Sequence, residues 1–250
     1  MLSRTELEKY KIMLGFNIWQ VERDYLQHLV LLFLSKRMAG ELIFKGGTAL
    51  QKAFGLNRFS IDLDFTQLGN VPPDLFLLIQ NDLSAFGFRN EYTQIKHKNS
   101  LAIKLKIQGP LYLGQERTLT VLMIEISIRE NILLEPEIKE IFPIYADLSP
   151  YLIKIMKPEE ILAEKVRAIM TRNQARDVFD LRFLLRKGIN LRTELIDEKL
   201  KLCGLKYSPS GLLREIKNKE EKWQNELSFL VSIVPPFPEI LREIKEKISA

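Results

Sequence analysis

Two aspartates two positions apart are the residues of this chain whose spacing most clearly suggests chemistry. Asp62 and Asp64 lie in the segment Ile61–Phe65, where acids alternate with apolar residues. This period of two predicts a strand with both carboxylates on one face and a core on the other. Adjacent anions repel, and a divalent cation such as Mg²⁺ or Mn²⁺ would neutralise them. The pair predicts a metal site; the polar, solvent-facing side of an edge strand is the alternative.

A third acid lies in a strongly apolar segment further along the chain. Glu125 interrupts the run Val121–Ile128, whose alternation predicts a central strand. A glutamate in such a strand needs a cation as its partner. Together with the two aspartates it would form a site for two Mg²⁺ ions, which suits transfer with pyrophosphate as the leaving group. The alternative is an ion pair across strands with Lys104 or Lys106.

A glycine turn precedes the aspartates and joins a short predicted strand to a helix. In the sequence Lys45-Gly46-Gly47-Thr48, glycines allow close backbone approach, and the helix N-terminus offers amides and a positive dipole end to phosphate. The Thr48 hydroxyl adds a donor and Lys45 a positive charge. The pattern is neither a Walker A loop nor a dinucleotide fingerprint, and a tight structural turn is the alternative. Arg58 is a further candidate for phosphate binding, or else a surface arginine.

Cations lie on the apolar stripe of a helix predicted to begin at Pro158. Lys165 and Arg172 share that stripe, where an anion such as a triphosphate would explain them. Asp177 and Asp180 share one face of the next predicted helix. Either aspartate is expected to pair with Lys165 and hold its ammonium toward a nucleotide, or to take part in proton transfer. A buried structural salt bridge between the two helices is the alternative.

The elements that must position these residues indicate an α+β fold with two domains. Residues 1–150 predict a mixed α/β sheet with N-terminal helices, and residues 151–250 predict a helical domain that completes the active-site cleft. Predicted strands lie at about 42–44, 61–66, 100–107 and 118–129. Predicted helices begin after a Ser3 capping box and lie at about 20–38, 48–54, 73–86, 158–172, 175–187, 193–203, 209–230 and 238–248.

The composition of the 250 residues excludes several classes of protein. With 46% hydrophobic and 28% charged residues, the chain is neither disordered nor fibrous. No apolar run reaches the roughly 18 residues of a membrane helix. The single cysteine, Cys203, excludes an internal disulfide and favours a cytoplasmic location. The net charge of +5 lies within residues 151–250, where it favours contact with phosphate only weakly.

The motifs in combination resemble the AbiEii-type nucleotidyltransferase toxin family of the DNA polymerase β-like superfamily. Four segments carry the resemblance in order and spacing: Glu22–Leu26, Phe44–Leu50, Arg58–Phe65 and Pro158–Leu181. The region after about residue 190 has no motif that aligns with the family.

The resemblance implies a nucleotidyltransferase fold in which Asp62 and Asp64 hold Mg²⁺ and the glycine turn holds the phosphates of an NTP. Glu125 fits the third carboxylate of the superfamily. The resemblance further implies transfer of NMP to an RNA acceptor such as a tRNA 3′ end, and a cognate antitoxin as partner. A non-catalytic nucleotide- or partner-binding module is the alternative function, and a metal-dependent phosphohydrolase is a weaker one.

Overall fold

The computed structural model describes residues 1–38, 40–128 and 131–249, and the chain divides into two compact units. Unit 1 comprises Met1–Gly55, Phe59–Ile132 and Pro136–Ile155, whereas unit 2 comprises Leu56–Arg58, Leu133–Glu135 and Met156–Ala250. Two short segments that precede Met156 in the chain therefore belong to the second unit. One of them, Leu56–Arg58, lies in the chain between the glycine turn and the aspartates.

Unit 1 contains a mixed sheet with helices. Its described helices are α1 (Arg4–Leu14), α2 (Ile18–Arg37), α3 (Gly46–Phe54) and α4 (Leu75–Ala85). Its described strands are β1 (Leu42–Lys45), β2 (Leu63–Gln67), β3 (Asn90–Lys96), β4 (Ser100–Ile107), β5 (Thr120–Ser127), β6 (Glu137–Ile141) and β7 (Tyr151–Ile155).

The strands form one sheet in the order β3-β4-β5-β2-β1-β7-β6. The pairs β2–β5 and β1–β7 are parallel, and the other neighbouring pairs are antiparallel. Alternation decides which face is buried: Leu122, Ile124 and Ile126 of β5 are fully buried, whereas Glu125 is exposed. The mixed α/β sheet that the sequence predicts is confirmed.

Among the described residues of unit 2, the regular elements are all helices. Its helices are α5 (Pro158–Thr171), α6 (Ala175–Arg186), α7 (Thr193–Lys201), α8 (Pro209–Lys217), α9 (Glu220–Leu227) and α10 (Phe237–Ser249). Pro158 and Pro209 stand at the first turns of their helices, where a missing N–H costs nothing. The helix α5 packs against α6, α7 and α8 and forms the centre of the unit.

Several elements differ from the predictions made from the sequence. The edge strands β3 and β6 were not predicted, because mostly polar, charged segments do not show a buried face. The strand β7 was also missed; it belongs to unit 1, beyond the boundary predicted at residue 150. The predicted helix at 209–230 is two helices, α8 and α9. Its apolar stripe continues through the break at Asn218 and Lys219, so periodicity alone could not reveal it.

The ends of other elements agree with local sequence signals. The capping box of Ser3 and Glu6 is present, and Gly55 ends α3 in the left-handed conformation. The strand predicted at 118–129 is β5; its predicted last residue, Arg129, lies outside the described residues. Local capping and alternation were therefore sufficient for these elements.

Candidate active site in unit 1

The sheet brings Asp64 between a lysine and a glutamate on neighbouring strands. Asp64 pairs in register with Lys45 of β1 on one side and with Glu125 of β5 on the other. Residues in register on adjacent strands project from the same face, about 4.8 Å apart along the hydrogen-bonding direction. Asp64 is half-buried and Glu125 is exposed. The sheet thus forms a row of a cation and two carboxylates on one face.

Asp62 does not lie on the strand that the sequence predicts for it. The strand β2 begins at Leu63, so Asp62 occupies the last position of the loop before it. Asp62 is half-buried, and its carboxylate interacts electrostatically with the guanidinium of Arg23 in α2. Burial lowers the pKa of Arg23, and the charges of Asp62 and Glu22 oppose that shift. The position of Asp62 therefore depends on the loop and its contacts, not on the sheet ladder.

Lys104 and Lys106, the alternative partners of Glu125, do not form ion pairs with it in the part of the chain that the structure describes. Lys106 binds Glu91 at 3.3 Å and Glu116 at 2.8 Å. Lys104 pairs in register with Met123 and not with Glu125, which faces Ala102. The exposed carboxylate of Glu125 is therefore open to a ligand on the same face as Asp64.

The glycine turn and Asp64 are in direct contact. Gly46 begins α3 with φ +75°, in the left-handed region that favours glycine. A Cβ atom at Gly46 would lie 3.1 Å from both Cβ and Cγ of Asp64, and closer still to Oδ2. The helix has no side-chain cap at its N-terminus and no acid in its first turn. These features fit an anion, because uncapped amides and the helix dipole attract phosphate.

The hydroxyl of Thr48 is used within unit 1. Thr48 is fully buried; its hydroxyl donates to the carbonyl oxygen of Asp62 and is hydrogen-bonded to Ser60 Oγ at 2.8 Å. The predicted contact of this hydroxyl with a triphosphate stays a prediction. In this structure the side chain joins the glycine turn to the aspartate loop.

The carboxylates on this face of the sheet fit a divalent metal ion that is also held by its substrate. The described residues contain no group of three or more His, Cys, Asp or Glu positioned to hold a metal ion, so Asp62, Asp64 and Glu125 do not together form such a group. Mg²⁺ is commonly held by one or two carboxylates, with substrate phosphates as further ligands. Asp64 and Glu125, adjacent and beside a helix N-terminus, fit a site of that kind. Mg²⁺ binding stays a prediction.

The upstream segment that carried part of the resemblance is structural in this chain. Glu22 is fully buried and accepts hydrogen bonds from Leu111 N at 2.6 Å and from the Thr120 hydroxyl. Burial raises the pKa of Glu22, and these two hydrogen bonds oppose the shift. Asp24 is bound by Lys52, by Gln51 Nε2 at 2.9 Å and by the Tyr145 hydroxyl at 2.8 Å. The segment therefore holds α2 against the rest of unit 1.

A buried ion network in unit 2

The acids and cations predicted on α5 and α6 form a buried network within unit 2. Lys165 Nζ lies 2.9 Å from Asp177 Oδ1 and 2.6 Å from Asp180 Oδ2, so the predicted pairing is confirmed for both aspartates. Arg172, whose side chain is 47% exposed, donates to Asp177 from Nε at 2.8 Å. Both aspartates are fully buried. The cluster therefore alternates in charge, which balances the desolvation of each group.

Arg58 completes the network from the segment between the glycine turn and the aspartates. Its Nε and Nη2 atoms donate to the two carboxylate oxygens of Asp180, each at 2.6 Å, and its side chain is only 2% exposed. It is therefore not a surface arginine, which was one of the two interpretations of its sequence. The other interpretation, a contact with phosphate, stays a prediction.

The pKa values of this network follow from competition between burial and charge. Burial would raise the pKa of Asp180, but Arg58 and Lys165 outweigh it and lower the pKa. The pKa of Asp177 is lowered in the same way by Lys165 and Arg172. Burial would lower the pKa of Lys165, and the two aspartates raise it instead. All of these groups are charged at neutral pH.

A second buried cluster in unit 2 was not predicted from the sequence. Glu160, fully buried at the start of α5, accepts hydrogen bonds from Leu133 N at 3.0 Å and Leu134 N at 2.9 Å. Lys199 of α7 lies 2.7 Å from Glu160 and 3.2 Å from Glu164. The only signal in the sequence was an acid pair in a helix that also carries an apolar stripe.

Most of this chain matches the model of a known protein family. A family model described as the nucleotidyl transferase AbiEii toxin of a type IV toxin–antitoxin system matches residues 26–243. No curated protein matches the chain. Among the residues that the structure describes, no helix is long and apolar enough to cross a membrane.

Solved structures share the fold. MenT4, a nucleotidyltransferase toxin from Mycobacterium tuberculosis, is 20% identical with a TM-score of 0.73, covering 100% of this chain and 89% of its own. JHP933 from Helicobacter pylori is 20% identical with a TM-score of 0.64, covering 94% and 92%. A putative nucleotidyltransferase from H. pylori is 21% identical with a TM-score of 0.62, covering 91% and 92%.

Proposed function

The chain belongs to the AbiEii nucleotidyltransferase toxin family, and on that premise we propose that it is a Mg²⁺-dependent enzyme that transfers NMP from an NTP to RNA. The observation that supports this most directly is the contact of Gly46 with Asp64, beside Glu125 on the next strand. A triphosphate at the N-terminus of α3 would have its phosphates next to the carboxylates.

In the proposed reaction a hydroxyl oxygen of the acceptor attacks the α-phosphorus of the NTP. A new oxygen–phosphorus bond forms, the bond from the α-phosphorus to the bridging oxygen of pyrophosphate breaks, and pyrophosphate leaves with the electron pair. A bound metal ion would neutralise charge on the phosphates. Asp62 and Asp64, the metal ligands that the resemblance implies, would hold it. Glu125 would accept the hydroxyl proton of the acceptor on one carboxylate oxygen, which leaves the other oxygen free to bind the metal. Lys45 and the amides of Gly46 and Gly47 bind phosphate oxygens.

The ion network of unit 2 is proposed to contribute through Lys165. Its place on the apolar stripe of α5 suggests that Lys165 orients phosphate, with Asp177 and Asp180 as its supports. The bonds at 2.9 and 2.6 Å are compatible with that role, because they keep the ammonium charged and fixed. Arg172, which is more exposed than Lys165, is a proposed further contact for phosphate.

RNA, such as a tRNA 3′ end, is proposed as the acceptor on two grounds. The family resemblance implies an RNA acceptor, and the whole net charge of +5 falls in residues 151–250, which suits a polyanion. The family description also implies an antitoxin as partner. Because its proposed substrates are found in the cytoplasm, we propose that location for the enzyme.

The test is transfer of label to RNA. The protein is incubated with each α-labelled NTP, Mg²⁺ and total RNA, in parallel with Asp64→Asn and with Glu91→Gln as a matched control. Glu91 is an exposed carboxylate on β3, outside the row of Asp64 and Glu125. We expect wild type and Glu91→Gln to label one RNA species and release pyrophosphate, and Asp64→Asn to label none.

Three results would contradict the proposal. Full transfer by Asp64→Asn would remove the metal assignment. Release of inorganic phosphate without labelled RNA would indicate a phosphohydrolase instead. Nucleotide binding that needs Mg²⁺ but gives no product with any acceptor would indicate a non-catalytic binding module.

A further inference from the structure

The loop that carries Asp62 is held by side chains that belong to other elements of unit 1. Three consecutive carbonyl oxygens, those of Ser60, Ile61 and Asp62, each accept a hydrogen bond from a buried side chain. Gln27 Nε2 of α2 donates to Ser60 O at 3.0 Å and to Ile61 O at 2.8 Å. The Thr48 hydroxyl of α3 donates to Asp62 O.

A third side chain fixes the amide end of the same loop. Ser60 N donates to Gln51 Oε1 at 2.9 Å, and Gln51 Nε2 in turn donates to Asp24 Oδ1 at 2.9 Å. Gln27 and Thr48 are both fully buried. We call Gln27, Thr48 and Gln51 the loop clamp. All three side chains contact the loop through hydrogen bonds. Because hydrogen bonds depend on angle as well as distance, the clamp defines the orientation of the loop backbone as well as its position.

The loop clamp holds a part of the chain that no strand pairing supports. Asp64 is fixed by ladder pairing with Lys45 and Glu125, but the pairing of β1 with β2 ends at Asp64, and that of β2 with β5 begins at Leu63. Asp62 therefore has no ladder partner on either side. A loop residue without such support would be free to move by an ångström or more, and a metal ligand must be held more closely than that.

We propose that Gln27, Thr48 and Gln51 are positioning residues that keep Asp62 beside Asp64 for metal binding. The inference rests on the proposed function and adds to it residues for which the sequence showed no metal-related role. Thr48 in particular acts through its hydroxyl on the Asp62 backbone and not on phosphate. The loop clamp also links α3, the helix that begins at the glycine turn, to the loop of the first aspartate, so that the turn and the loop are positioned together.

The experiment compares Thr48→Val with Thr48→Ser. Valine keeps the shape of threonine and loses the hydroxyl, whereas serine retains the hydroxyl. Thr66→Val is the matched control, because Thr66 is fully buried in β2 and its hydroxyl has no hydrogen-bond partner among the described residues. The readout is Mn²⁺ affinity in the presence of each α,β-methylene NTP, measured by electron paramagnetic resonance on folded, full-length protein.

We expect Thr48→Val to weaken Mn²⁺ binding about 10-fold or more, in the range seen when outer-shell support of a metal ligand is lost. Thr48→Ser and Thr66→Val should bind Mn²⁺ as wild type does. Gln27→Met, which removes the donor to Ser60 and Ile61, should weaken binding in the same direction. A higher KM for NTP with unchanged Mn²⁺ affinity would instead assign the Thr48 hydroxyl to phosphate and overturn the proposal.

The outcomes separate this inference from the proposed function. If wild type binds Mn²⁺ and Asp64→Asn does not, the metal assignment stands. Equal Mn²⁺ affinity in Thr48→Val and wild type then overturns the positioning role alone. A loss of thermal stability in Thr48→Val without a loss of affinity does the same, since it shows a purely structural hydroxyl. If wild type binds no Mn²⁺, both proposals fail.

Discussion

Gly46 and Asp64 occupy adjoining space, so that a Cβ atom on Gly46 would lie 3.1 Å from Cβ and Cγ of Asp64 and would overlap its carboxylate. The glycine that starts α3 is thus required by the aspartate on β2. The requirement is steric and conformational at once, because Gly46 also has φ +75°.

Gly46→Ala is expected to abolish transfer, and Gly55→Ala is its matched control. Gly55 ends the same helix with φ +78°, and a Cβ atom there would meet nothing within 4 Å. Both substitutions carry a backbone cost of roughly 1–2 kcal/mol, but only Gly46→Ala displaces Asp64. Transfer assays and thermal unfolding of the two variants measure these effects. Equal activity in both variants would show that the contact has no functional role.

Glu125→Gln tests the third carboxylate. Removing a group that takes the acceptor proton is expected to lower kcat by about 10²–10⁴-fold. The KM for NTP should change little, because phosphate is held by the glycine turn. Glu91→Gln serves as control on the same face of the sheet. If Glu125→Gln keeps the wild-type kcat, Glu125 is a surface residue and the superfamily assignment does not apply to it.

Arg58→Met is expected to destabilise the protein by about 3–5 kcal/mol, because it leaves the buried carboxylate of Asp180 with one fewer partner. The matched control is Arg37→Met, which removes a similar 2.6 Å two-pronged pair with Asp82 near the surface, with side chains 31% and 24% exposed. That loss should cost no more than about 1 kcal/mol. Urea unfolding measures both. Comparable costs would indicate that burial does not govern the Arg58 pair.

The buried His28 makes stability depend on pH. Burial and the charge of Lys52 lower the pKa of His28 to about 3, and Asp24 opposes the shift. Its Nδ1 lies 2.9 Å from the Tyr151 hydroxyl, and its ring packs against Tyr145. The folded state therefore keeps His28 neutral, while the unfolded chain protonates near 6.5, the ordinary pKa of a histidine in water.

The stability associated with a neutral His28 is complete above pH 6.5 and is lost as the pH falls toward 3. Between pH 7 and pH 5 the expected loss is about 2 kcal/mol, since each pKa unit corresponds to about 1.4 kcal/mol. The difference in unfolding free energy between these pH values should be smaller by that amount in His28→Gln. His97→Gln, at an exposed position, should retain the wild-type pH dependence. If the His28 variant retains it too, the histidine is not responsible.

The sequence by itself determined the local features of this protein. Alternation showed the two faces of β5 and placed Glu125 on the open one, and helical spacing predicted that Asp177 or Asp180 would pair with Lys165. The glycine turn and the capping signals followed from backbone preferences. These features lie within one strand, one turn or two consecutive helices, so a single sequence contains them.

Only the tertiary structure decided which distant residues meet. Periodicity indicates the face of a strand but not its neighbour, so the row of Lys45, Asp64 and Glu125 appears only with the register. The burial of Arg58 against Asp180 depends on a segment of the first half of the chain belonging to unit 2. The loop position of Asp62 likewise depends on hydrogen bonds from α2 and α3. Every residue has a carbonyl acceptor, so the sequence does not show which side chain will donate to it; tertiary packing determines the donor.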